Sequence, residues 1–142
     1  MDNEPQSKND FGKRLSSSTY NSELADSLGA DALGMKLYTF CYLKAGKEKI
    51  MTEEEFLKTE QGHLEYVNFL AKKKHIVLTG AFVEKTEYLG FMIFTTDSLE
   101  AKSLLQKDPK IQSDIIYPEF TTWYGPASLH ELYPIHKTLI KQ

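Results

Sequence analysis

Blocks of alternating and of helically spaced apolar residues follow one another along this chain and read as strand, helix, strand, strand, helix, strand. Lys36 to Leu43 is dense in aromatic and β-favouring side chains and closes at Lys44-Ala45-Gly46, which predicts a first strand. Thr52 followed by Glu55 makes a capping box, and acids at positions 53 to 55 suit the positive end of a helix dipole, so a helix is predicted from there to about Lys74. At about 100° per residue Phe56, Leu57, Leu64, Val67, Leu70 and Ala71 share an arc of roughly 140°, which should face a sheet. Ile76 to Phe82, with Gly80 inside it, and Gly90 to Thr95 predict two further strands. The polar link of Glu84, Lys85, Thr86 and Glu87 is short enough for an antiparallel hairpin. Asp97 or Ser98 caps a second helix whose apolar face holds Ala101, Leu104 and Leu105 and which Asp108-Pro109 stops. A last strand lies within Ile115 to Tyr124, and Gly125-Pro126 ends it.

This order predicts an α+β, ferredoxin-like βαββαβ domain over residues 35–125 with both helices on one sheet face. Residues 1–34 are rich in Asn, Ser, Asp, Lys and Gly, with little apolar surface to offset the entropy of ordering, and are expected to form a disordered N-terminal arm. Residues 126–142 are left as a C-terminal tail.

Composition narrows the function classes. A chain of 142 residues, 41% hydrophobic, has material for one core. Its 20 acidic residues outnumber 17 basic ones, and no basic stripe tracks a phosphate backbone, so nucleic acid is not an expected partner. Cys41 is the single cysteine, which excludes an intramolecular disulfide and a Cys-based zinc site and fits a reducing compartment. No run approaches the ~20 apolar residues of a membrane span, and acids within residues 1–34 argue against a transit peptide. The expectation is a cytoplasmic protein with no membrane partner.

His63 falls on the apolar arc of the first predicted helix, about 20° from Phe56 and Leu70, and should point inward. A core-edge histidine satisfied by a carbonyl or water is the plainer account of it, and taken alone the arc favours that account. Topology brings the end of the second helix, with Asp108, towards the start of the first. Asp-Pro is also an ordinary helix-to-turn junction, yet a carboxylate at a helix C-terminus opposes the dipole and invites a cationic partner. In contact, Asp108 would accept from one imidazole nitrogen and leave the other free for acid–base work. Phe82 and Trp123 are expected to wall the adjoining pocket. Glu60, one turn before His63, could reach it, although a surface carboxylate is the simpler reading. His75 reads as solvent exposed, and His130 and His136 lack the carboxylate or Cys cluster a metal would need. No nucleophile elbow or phosphate-cradling glycine loop occurs, and neither metal nor cofactor is implied. Trp123, Tyr117, Tyr38 and Tyr42 supply ring surface on outer strands, for which face-to-face homodimerisation through the sheet is the expected use.

The stretch from Lys36 to Tyr124 resembles the YCII-related (YciI-like) domains of the dimeric α+β barrel group. The resemblance is carried by the aromatic first strand, His63-Leu64 followed by Leu70, Gly80-Ala81-Phe82, Ser98-Leu99-Glu100-Ala101, and Asp108-Pro109. It implies a dimer through the sheet and a His63/Asp108 pair in a pocket, for which Phe82, Trp123 and Tyr38 are the expected lining on the residues' own reading. It also implies acid–base chemistry of lyase or hydrolase type on a small, ring-shaped metabolite. A non-catalytic module binding a small ligand or a protein is the alternative.

Overall fold

A computed structural model describes residues 19–47 and 51–141. The elements in chain order are α1 (Ser22–Leu28), β1 (Met35–Ala45), α2 (Glu53–Lys72), β2 (Ile76–Ala81), β3 (Tyr88–Phe94), α3 (Ser98–Leu105), α4 (Pro109–Gln112), β4 (Ile116–Pro126), a 3-10 turn (Ala127–Glu131) and α5 (Leu132–His136). The strands form one four-stranded sheet in the order β2-β3-β1-β4, antiparallel at every junction, compatible with a ferredoxin-like α+β fold.

The local signals act as their chemistry dictates. The Thr52 hydroxyl accepts the Glu55 amide while the Glu55 carboxylate accepts the Thr52 amide, which together start α2. Asp97 caps α3 by accepting the Glu100 amide at 2.8 Å. Since side chains alternate along a strand, β1 sends Cys41 and Leu43 to one face and Tyr38 and Phe40 to the other. The first face meets Leu70 and Ala71 of α2, Ala101 and Leu105 of α3, and Met92 and Phe94 of β3. The second gathers Tyr38, Val77 and Ile93, with Phe40, Phe91, Trp123 and Leu129 packed around them.

Three expectations change. The predicted apolar arc of α2 is buried only in part: Leu70 and Ala71 are buried, whereas Phe56, Leu57 and Leu64 are exposed. The buried positions lie in the last turn of α2, which packs on the sheet, while the first turns stand over the shorter edge strand β2 less closely. Within the expected arm, residues 21–34 are structured, and residues 1–18 lie outside the described residues. Asn21 caps α1, Gly29 ends it at a left-handed φ of 73°, and Asp31 accepts the amides of Leu33 and Met35 and the hydroxyl of Tyr124 on β4. The anchoring is polar, which a search for apolar surface does not detect. The C-terminal segment also belongs to the fold: Ala127 is buried and its amide donates to the Gly34 carbonyl, Leu129 packs on the second sheet face, and Tyr133 reaches the first core cluster.

Cys41 is wholly enclosed between β1 and the helices, and burial pushes its thiol from 9.0 up to about 12. Burial likewise pushes the Tyr38 phenol from 10.0 up to about 12. Both groups are neutral when protonated and ionise more readily in the unfolded chain. Their contribution to stability is therefore intact below pH 9 and is lost as pH rises from there towards 12. We expect Cys41 to resist a thiol-reactive disulfide reagent in the native protein at pH 8 and to react at once in denaturant. Rapid native-state labelling would show that the core cluster opens.

Candidate functional site

The helical layer carries a clasp between α2 and the short helix α4. At its centre His63 Nδ1 stands 2.7 Å from Asp108 Oδ2, with the imidazole 13% exposed and the carboxylate 1%. A carboxylate can only accept here, so Nδ1 donates and Nε2 is the ring nitrogen that points away from the pair. Among the described residues Nε2 has no hydrogen-bond partner. The second Asp108 oxygen, Oδ1, accepts the Lys110 amide at 2.9 Å.

Asp108 does not close a helix, as its sequence context suggested; it opens one. It is the N-cap of α4, with Pro109 in the first helical position, so the dipole argument reverses and the carboxylate sits at a favourable helix start. A turn ties α4 to the end of α3, the Asp108 amide donating to the Leu105 carbonyl at 3.0 Å. This turn brings Asp108 level with the middle of α2.

Neighbouring side chains tighten the clasp. Glu60 is neither in a pocket nor a free surface carboxylate: its Oε2 pairs with Lys110 Nζ at 2.5 Å. Between Glu60 and His63 stands Gly62, where an added Cβ would lie 3.0 Å from the Pro109 ring, so the absent side chain lets the helices approach. The Tyr66 hydroxyl donates to the Leu104 carbonyl at 2.7 Å, and its phenol is held above the usual range, first by burial and then by the Asp108 charge. Gly62 and Tyr66 were not singled out from sequence, and Glu60 was considered only as a carboxylate that could reach the pocket or stand on the surface. An i, i+3 reading along α2 from His63 reaches Glu60 and Tyr66, and that spacing was the available signal.

The pocket residues expected beside His63 lie elsewhere. Tyr38 and Trp123 pair across β1 and β4 on the sheet face opposite the helices, with ring centroids 5.7 Å apart, and the Trp123 ring covers Gly125. Tyr38 is buried beneath the C-terminal segment, its hydroxyl donating to the Pro126 carbonyl at 2.8 Å. Phe82 follows the end of β2, and its ring lies 6.0 Å from that of Phe91 on the same far face. The sheet separates all three from the His63–Asp108 pair within one chain. The cause is strand parity, for residues one position from Cys41 point away from the helices. Among the remaining histidines, His75 is half-buried and His136 exposed. His130 Nε2 lies 3.0 Å from Lys36 Nζ, and burial and then the Lys36 charge hold His130 below the usual imidazole range.

Because Asp108 both caps α4 and receives His63, its substitutions should separate. Asp108→Ala should cost about 1–2 kcal/mol of stability, chiefly through the lost cap, and Asp108→Asn, which caps as well, should cost less. Urea unfolding of the two variants measures the difference, and equal losses would show that the cap is not what the residue supplies. No family model matches this chain and no curated protein does.

Proposed function

We propose that the chain is a YCII-related enzyme in which His63 performs acid–base chemistry on a small, ring-shaped metabolite. The observation that carries the reading is the hydrogen bond between His63 Nδ1 and the buried Asp108 carboxylate, 2.7 Å long. It fixes ring orientation and tautomer, and it directs the basic nitrogen, Nε2, away from the carboxylate. Asp108 is then the positioning residue, with both oxygens occupied by donors, and His63 the group that takes a proton from carbon or oxygen and returns it. A cytoplasmic setting accords with the lone, enclosed Cys41.

The expected consequence is a split between binding and turnover. In a screen of small cyclic enol-lactones and ketones, His63→Ala should abolish conversion of any substrate found, a loss of roughly 10²–10⁴-fold, while leaving its binding measurable. Asp108→Asn should lower kcat more than it raises KM. Full turnover by the His63 variant would sink the enzyme reading and leave the non-catalytic binding module. That second reading draws on one observation, that the cavity beside the C-terminal segment is lined by neither member of the pair.

We further propose that the protein works as a homodimer through the sheet face opposite the helices. Tyr38 is covered there by the chain itself, but Tyr42, Phe82 and Tyr117 are exposed. Tyr42 and Phe82 join Phe40, Phe91 and Tyr88 in a field of rings whose neighbouring centroids lie 4.7–6.0 Å apart. Such a patch is large for a free surface, and a two-fold axis through it would cover both copies. Sedimentation equilibrium should give twice the 16.3 kDa chain mass, and Tyr42→Lys should shift it to one. A wild-type monomer at micromolar concentration would overturn the proposal.

A further inference from the structure

The C-terminal segment borders a half-open pocket that has no part in the clasp. A space of about 360 Å³ lies between α2, β2 and the chain beyond β4. Its floor is Val67, Ala71 and Ile76, and its roof is Leu132, Ile135 and Leu139. No Asp, Glu, Lys or Arg lines it, which disfavours phosphorylated or multiply charged ligands. Four polar residues are among its lining: Thr79, whose hydroxyl donates to the Phe91 carbonyl, and Asn68, Tyr133 and His136, of which Asn68 and His136 are exposed at the rim. An apolar pocket of this size with a few polar side chains at its edge is the usual form of a small-molecule site.

We propose that this cavity binds an apolar small molecule bearing one hydrogen-bonding head group, with the C-terminal segment as its roof. At about 30 Å³ per water-sized group, the space accepts roughly a dozen such groups, the scale of a medium-length acyl chain or a fused two-ring system. The aliphatic walls take the body, and the amide, hydroxyl and imidazole take the head. Leu132, Ile135 and Leu139 of the roof are each at least 40% exposed, and a bound molecule would cover part of that apolar surface.

The test uses the full chain with labelled Ile, Leu and Val methyl groups, titrated separately with decanoate and with 1-naphthol. One probe or both should give saturable shifts confined to the methyls of Val67, Ile76, Ile135 and Leu139, and the responding probe tells whether an acyl or a ring body is preferred. Val67→Trp, which fills the floor, should weaken that probe's binding about tenfold or more. Ile135→Trp fills the space from the exposed roof and serves if the first variant melts early. Three results would overturn the proposal. One is the absence of saturable shifts with either probe at millimolar concentration. Another is shifts centred on Leu89 and Ile93 of the far sheet face, and the third is shifts that follow protein concentration alone, which would assign the cavity to a second copy.

Discussion

The central position of β1 is the constraint on which the rest of the molecule depends. Paired with β4 over Met35–Ala45 and with β3 over Thr39–Lys44, this strand is internal to the sheet, and its side chains pack in both directions. Cys41 and Leu43 require a helical layer on one side, which α2 and α3 supply. Even Thr39 conforms, because its buried hydroxyl donates to the Thr96 carbonyl at 2.7 Å. On the other side Tyr38 and Phe40 require cover that no helix of the first layer can give. The C-terminal segment meets that need at the Tyr38 end, and the Phe40 and Tyr42 end stays open. The proposed dimer and the observed course of the C-terminal chain are two responses to one two-sided strand.

What could be read from the sequence was local. Thr52 with Glu55, Asp97 before its helix, and the polar link after Phe82 each act over three or four residues, and each produces the cap or hairpin that its chemistry implies. What escaped reading was held by contacts across long separations. Asp31 meets Tyr124 and the Ala127 amide meets Gly34, so α1 and the C-terminal segment join the body at sites that neither reveals in its own pattern. The misplaced pocket was of another kind, since the parity of Tyr38 against Cys41 was available in the sequence and assigns them to opposite faces. Pooling aromatic residues by type rather than by parity put Tyr38 and Trp123 on the wrong side of the sheet.

The pairing of His63 with Asp108 was legible as proximity but not as architecture. The sequence places His63 inward and Asp108 at a helix boundary, and both statements hold. Which boundary it is decides the electrostatics. A carboxylate ending α3 would oppose that helix's dipole and depend on an imidazolium for compensation. A carboxylate opening α4 sits at a favourable helix start, where its Oδ1 accepts the Lys110 amide. Its other oxygen receives His63 Nδ1, which leaves Nε2 as the ring nitrogen turned away from the pair. Burial of Asp108 and the close approach of Pro109 to Gly62 enclose the bond to His63 on the helix side. The orientation of the ring thus rests on a glycine and a helix cap, two features set by backbone geometry.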